Sequence, residues 1–197
     1  MTLGIWGDSI TFGQGDEEGL GWVGRLRREY FSDNSTIIYN RGICGDTSVD
    51  ILKRFVVEAQ AIRPDTIFFA VGTNDAKYPK GKETNNIPLD LFEKSLRELV
   101  EQGRTYTSNI VCIGLIEAVE GRKEDTGTIF SNKEIQRYNQ SIKKICNENT
   151  LVFLDLSGVI DTKTDMCDMV HPNSSGYEKI YQAISQYCKI RSLIKEP

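Results

Sequence analysis

The feature that most constrains this chain is a fivefold alternation of short apolar runs with segments of helical period. The runs are Thr2–Trp6, Thr36–Tyr39, Thr66–Val71, Asn109–Ile116 and Leu151–Leu156. They are rich in Ile, Val and Phe and do not alternate with polar residues, which is the pattern of strands covered on both faces. Between them, Ile51, Leu52, Phe55, Val56, Ala59 and Ile62 form one stripe, and Leu89, Phe92, Leu96, Leu99 and Val100 another. Ile135, Tyr138, Ile142 and Ile145 form a third, and Tyr177, Ile180, Tyr181, Ile184 and Tyr187 the last. Spacings of three, four and seven are helical faces. A further helix is predicted from Trp22 to Phe31, and capping boxes are read at Thr47…Asp50, Ser131…Glu134 and Ser175…Glu178. Strand–helix alternation of this kind predicts an α/β fold: three layers, α/β/α, around a five-stranded parallel sheet.

Composition sets the remaining bounds. A chain of 197 residues is expected to form one domain, residues 1–197. It should bury about 70% of its unfolded surface, enough to need no disulfide or metal staple. The formal charge of −4 argues against a nucleic-acid partner, which wants a basic face. No apolar run approaches the roughly 18 residues of a membrane span. The five cysteines, Cys44, Cys112, Cys146, Cys167 and Cys188, are an odd number without a C-x-x-C pair. Together with an N-terminus that enters a strand directly, they predict reduced thiols and a cytoplasmic location.

Ligands of a parallel sheet bind where its strands end at their carboxyl edge. There the chain places Gly7-Asp8-Ser9-Ile10 after strand one and Asn40-Arg41-Gly42-Ile43-Cys44-Gly45-Asp46-Thr47 after strand two. Gly72-Thr73-Asn74-Asp75 follows strand three, and Asp168-Met169-Val170-His171-Pro172 precedes the last helix. One edge thus collects a hydroxyl, turn glycines, an amide and an Asp/His pair, the parts that acyl transfer requires. His171 is the only histidine, so any imidazole that activates a serine is this one. Asp168, three residues earlier, can reach Nδ1–H and leave Nε2 free to accept a proton. Each feature alone has a plainer reading: a surface histidine, an N-cap serine, turn glycines, a turn asparagine.

These four blocks, in this order and spanning Ile5 to about Tyr187, resemble the SGNH hydrolases, also called GDSL-type esterases and lipases. The resemblance implies a flavodoxin-like sheet, Ser9 as nucleophile, His171 as base and Asp168 as its orienter. It implies an oxyanion hole made of the Ser9 and Gly45 N–H groups and the Asn74 amide, with no metal and no organic cofactor. The expected activity is hydrolysis of small-molecule carboxylic esters through an acyl-enzyme, with a thioesterase or acyltransferase as the alternative on the same fold. The loops at 76–88 and 117–131 are polar, which points to short acyl groups and a hydrophilic rim.

Other signals are weaker. Gly19-Leu20-Gly21-Trp22-Val23-Gly24 matches G-x-G-x-x-G, but it lies a dozen residues past strand one, where a dinucleotide fingerprint does not belong. It reads as a turn before a helix that buries Trp22. Asp8 and Asp75 sit where a phosphoacceptor receiver module would want acids, yet strand four ends in Ile116-Glu117 and strand five in Asp155-Leu156-Ser157, without the Ser/Thr and Lys of that pattern. Cys44 and Cys167 flank the edge as thiol rivals to Ser9 and read as small apolar residues. The acidic runs Asp16-Glu17-Glu18 and Glu117…Glu124 read as solvated loop faces.

Overall fold

A computed structural model describes residues 1–30, 36–123 and 125–190. The elements run β1 (Thr2–Gly7), α1 (Ser9–Phe12), α2 (Gly21–Glu29), β2 (Ile37–Gly42), α3 (Ser48–Ile62), β3 (Thr66–Ala70) and α4 (Thr73–Ala76). They continue α5 (Leu89–Arg104), β4 (Ile110–Ile113), β5 (Gly121–Arg122), β6 (Ile129–Phe130), α6 (Asn132–Glu148), β7 (Val152–Leu154) and α7 (Ser174–Ile190). The main sheet has the order β2-β1-β3-β4-β7, and every pairing in it is parallel. This is the doubly wound, flavodoxin-like order, which places a switch point between β1 and β3.

Strand side chains alternate between two cores, as a period of two requires. Trp6, Phe69 and Cys112 face α3, α5 and α6, where they meet Phe55, Phe92, Leu96 and Tyr138. Leu3, Ile5, Phe68 and Val111 face α2 and α7, where they meet Trp22, Leu26, Tyr177 and Ile180. The Phe55 ring stands 4.8 Å from that of Trp6 and 5.3 Å from that of Phe69. A fully buried Phe in such a cluster contributes about 3–5 kcal/mol, measured as the cost of its truncation.

Several expectations meet a competing partner. The Thr47/Asp50 box forms, with Thr47 N donating to Asp50 at 3.2 Å. Ser131 does not cap α6: its hydroxyl faces Glu120, and the Glu120 carboxylate accepts from Asn132 N at 3.3 Å in its place. Helix α7 begins one residue early at Ser174, and the Asn173 side chain, not Ser175, accepts from Gly176 N at 3.0 Å. Helix α2 ends at Glu29; Phe31, its expected end, lies outside the described residues. The expected strand Asn109–Ile116 pairs only as far as Ile113, although Leu115 and Ile116 stay buried beyond the sheet.

In the Asp16-Glu17-Glu18 run Glu17 and Glu18 are exposed, as a solvated face requires, but Asp16 is not. The Asp16 carboxylate is wholly buried against the equally buried Arg25 guanidinium. It also accepts from Gly21 N at 2.7 Å, opening α2, and from Ser174 Oγ at 2.6 Å, at the start of α7. Glu17 accepts from Ser174 N at 2.9 Å. Breaking one side of a buried ion pair strands the other charge, at a cost of about 3–5 kcal/mol, so this loop clamps two helices together. In the second run, Glu117 accepts from Gly158 N at 3.2 Å, and Glu124 lies outside the described residues. No helix among the described residues is long and apolar enough to cross a membrane.

Candidate active site

Strand β1 ends at Gly7, and Asp8 turns the chain. Its Oδ1 accepts from Ile10 N at 2.9 Å and so caps α1, a single turn that carries Ser9 at the carboxyl edge. Asp8 itself points inward. Burial pushes its carboxyl up to about 7, against the opposing pull of the Ile10 N–H.

The loop before α7 is built around a second buried acid. Asp165 accepts from Asp161 N and from Lys179 Nζ, each at 2.6 Å. Met166 bridges to Pro172, and Cys167 N donates to His171 O at 2.9 Å. This turn presents Asp168 and His171 together. Asp168 Oδ1 accepts from Val170 N and His171 N, each at 2.8 Å. Asp168 Oδ2 lies 2.9 Å from His171 Nδ1 and 2.9 Å from Lys123 Nζ. Partial burial works against its charge, but the Lys123 ammonium and the two backbone N–H groups hold its carboxyl well below the usual range. An ionised carboxylate can only accept, so the hydrogen bond assigns the proton to His171 Nδ1. Nε2 is then the lone-pair nitrogen, and it stands 2.9 Å from Ser9 Oγ.

The opposite wall comes from the ends of β2 and β3. Strand β2 ends at Gly42, where a Cβ would lie 2.3 Å from Phe12 N; only glycine lets β2 pass so close to α1. The chain then turns through Gly45, whose φ of +89° suits glycine. After β3, helix α4 carries Asn74. Its Nδ2 donates to Asp46 O at 3.1 Å, and its Oδ1 accepts from Lys77 Nζ at 2.8 Å. Beneath it, Asp75 accepts from Ser48 N at 3.0 Å and Ser48 Oγ at 2.5 Å, which ties α4 to the start of α3. Burial pushes the Asp75 carboxyl up to about 6, against the Ser48 bonds.

Ser9, Gly45, Asn74 and His171 line one open cleft of about 170 Å³, with Lys77, Lys123, Thr128, Phe130 and Val170 among the other walls. The structure therefore brings together all five residues singled out in the sequence, with Asp168 behind His171. Sequence reasoning missed Lys123, Lys77 and Asp165. Lys77, three residues past Asn74, carried a faint positional signal; Lys123 carried none, because it sits in the turn of the unforeseen hairpin β5–β6. Cys44 and Cys167 are exposed rather than packed as small apolar residues, but partial desolvation and neighbouring carboxylates push both thiols up, away from the thiolate a nucleophile needs. Gly19 lies in the Asp16 turn before α2, Gly21 opens that helix, and Trp22 is buried. Asp75, the acid a receiver would phosphorylate, is fully buried.

An ionised acid, an oriented imidazole and a hydroxyl in line, beside amide donors, can transfer an acyl group. Residues 5–179 match the GDSL-like Lipase/Acylhydrolase family. The chain belongs to that family. Ester hydrolysis is the family's chemistry, and this chain is an ester-hydrolysing enzyme. Among similar proteins, a multidomain esterase of Ruminococcus flavefaciens is 32% identical over 120 residues, which is 59% of this chain and 14% of that protein. The acetylxylan esterase of Geobacillus stearothermophilus is 23% identical over 96% of this chain and 90% of its own length. The crystal structure of that acetylxylan esterase superposes with a TM-score of 0.75 at 21% identity, over 94% of this chain and 92% of its own. An alpha/beta hydrolase from the metagenome of Lake Arreo, Spain, gives 0.76 at 20% identity, over 94% and 93%. The two structural likenesses are likenesses of fold.

Proposed function

We propose that the chain is a serine esterase of short-acyl, soluble esters, with Ser9 as nucleophile, His171 as general base and Asp168 as orienting acid. The observation that carries this reading is the single line of hydrogen bonds in which His171 meets Ser9 Oγ on one nitrogen and Asp168 on the other. Ser9 Oγ attacks the ester carbonyl carbon while its proton passes to His171 Nε2. The negative charge on the former carbonyl oxygen meets the N–H groups of Ser9 and Gly45 and the Asn74 amide. The carbon–oxygen bond to the alcohol then breaks, and His171 returns the proton to the leaving oxygen. Water, deprotonated by the same imidazole, releases the acid from the acyl-Ser9 ester. No step calls for a metal or a cofactor.

The cleft supports small acyl groups. Phe130 and Val170 are its large apolar walls, and Lys77, Lys123 and Thr128 make the rest polar. An acetylated carbohydrate falls within this substrate class, as the name of the acetylxylan esterase relative suggests. The five free thiols suit a reducing compartment, and a cytoplasmic location is part of the proposal. The test is covalent labelling. A fluorophosphonate should add once to the wild-type protein by intact mass and not at all to Ser9→Ala, whose kcat should fall by on the order of 10⁴. An adduct that persists in Ser9→Ala would overturn the assignment.

A further inference from the structure

We propose that Lys77 is a positioning residue of the oxyanion hole, whose ammonium orients and polarises the Asn74 amide. The inference rests on the reading of Asn74 as an oxyanion donor and adds the group that makes it one.

An asparagine amide has two nearly equivalent orientations, and only its partners choose between them. Asn74 has two partners of opposite kind. Lys77 Nζ lies 2.8 Å from Oδ1, and Asp46 O lies 3.1 Å from Nδ2. An ammonium can only donate and a backbone carbonyl can only accept. Turning the amide over would set its NH₂ against NH₃⁺ and its oxygen against a carbonyl oxygen. The Lys77 cation therefore fixes the NH₂ end away from itself. One Nδ2 hydrogen is spent on Asp46, and the second is left for a substrate oxygen in the cleft that Asn74 lines.

The backbone holds this geometry. Asn74 and Lys77 are three residues apart across one helical turn, so their side chains share a face. Asn86 clamps both: its side chain donates to Asn74 O at 3.0 Å and its N–H donates to Lys77 O at 2.8 Å. Lys77 is half-buried, and among the described residues it forms no ion pair. Burial, with the Lys123 ammonium, pulls its amine below the usual lysine value, and the carboxyls of Asp8 and Asp75 work in the opposite sense to favour its charge. With no carboxylate in contact, the field of the ammonium falls on the amide. A cation at Oδ1 draws electron density from nitrogen and makes each N–H a stronger donor. That gain is realised where negative charge develops, in the transition state, so it belongs in kcat rather than KM.

The experiment is a double-mutant cycle on p-nitrophenyl acetate, with kcat and KM measured for Lys77→Met, Asn74→Ala, the double variant and Lys77→Arg. Asn74→Ala should cost about 10²–10³ in kcat, and Lys77→Met roughly tenfold, both with KM little changed. The double variant should be no slower than Asn74→Ala, since the lysine acts through the amide. Lys77→Arg, which still donates a charged hydrogen bond, should stay close to wild type. Thermal melts report folding, and Lys77→Gln, neutral but still a donor, replaces the Met variant if that variant melts early. An undiminished kcat in Lys77→Met, beside a crippled Asn74→Ala, would overturn the proposal and leave the oxyanion reading standing. Additive losses in the double variant would overturn it too. A KM effect at constant kcat would make Lys77 a substrate anchor instead. A fully active Asn74→Ala would remove the oxyanion reading and this proposal with it.

Discussion

Asp168→Asn is the substitution whose outcome the geometry specifies most tightly. The native carboxylate uses both oxygens: Oδ1 takes two backbone N–H groups at 2.8 Å, and Oδ2 takes Lys123 Nζ and His171 Nδ1 at 2.9 Å. Asparagine has one oxygen for these four donors. If its oxygen keeps the two backbone N–H groups, its NH₂ faces Lys123 and His171. If it turns over, the NH₂ meets two fixed backbone donors, which cannot move aside as the lysine can. The first arrangement wins, and His171 Nδ1 must then accept a hydrogen bond. The neutral ring carries its proton on Nε2, facing Ser9, where it can no longer accept one. The fold is untouched, but the base is in the wrong tautomer, a fault that costs about 10⁴ in kcat, or roughly 5.5 kcal/mol, in a serine triad. The assay is kcat on p-nitrophenyl acetate at pH 8, with circular dichroism and a thermal melt to establish that the variant is folded. A folded Asp168→Asn within about tenfold of wild type would refute the tautomer argument, because orientation of the ring alone would then suffice.

Two further outcomes follow from burial. The Asp8 carboxyl, pushed up to about 7, takes up a proton on folding, so its contribution to stability declines as pH rises from the ordinary carboxylate value towards 7. Asp8→Asn keeps the Ile10 cap and has no proton to lose. Its unfolding free energy from urea titration should match wild type near pH 4 and exceed it at pH 8 by up to about 4 kcal/mol, and an equal gap at both values would sink the idea. Acyl length should also discriminate: in a cleft of about 170 Å³ walled by Phe130 and Val170, each added CH₂ gains its ~0.8 kcal/mol only while an apolar wall lasts. Measured below the micelle threshold, kcat/KM over p-nitrophenyl esters should stop rising by about hexanoyl, and a steady climb to dodecanoyl would exclude the short-acyl reading.

The sheet was legible because its strands are buried on both faces. Ile5, Phe68 and Val111 on one side and Trp6, Phe69 and Cys112 on the other leave no polar alternation to confuse the pattern. What the apolar runs reported was burial, not pairing, and for that reason Leu115 and Ile116 read as strand. Helices α1 and α4 escaped because a single turn shows no periodicity, although they carry Ser9 and Asn74. The site residues were legible as types at strand ends. Apart from Lys77, three residues past Asn74, their partners were not, because those partners come from far along the chain. Asp16 meets Ser174 across 158 positions, and Lys123 meets Asp168 across 45. A local charge run gives no sign of a buried partner that far away.

The two lysines also change what the polar loops are for. As sequence, the segments 76–88 and 117–131 read only as a hydrophilic rim. In the fold they are one small structure: Tyr78 and Ile129 exchange backbone hydrogen bonds at 2.9 Å, Ile129 pairs with Arg122 across the hairpin, and Lys123 N donates to Thr128 O at 2.7 Å. Lys77 precedes Tyr78, and Lys123 follows Arg122. One patch of backbone therefore delivers both cations, one to the Asp168 carboxylate and one to the Asn74 amide, on opposite sides of the cleft. The strand ends supply groups of the right type, but neither an amide nor a partly exposed carboxylate chooses its own orientation or charge. In the proposed mechanism the rim lysines make those two choices together with the Val170 and His171 N–H groups and the Asp46 carbonyl. A disturbance of the Tyr78–Ile129 pairing would thus reach the base and the oxyanion hole together, while leaving the sheet that carries them intact.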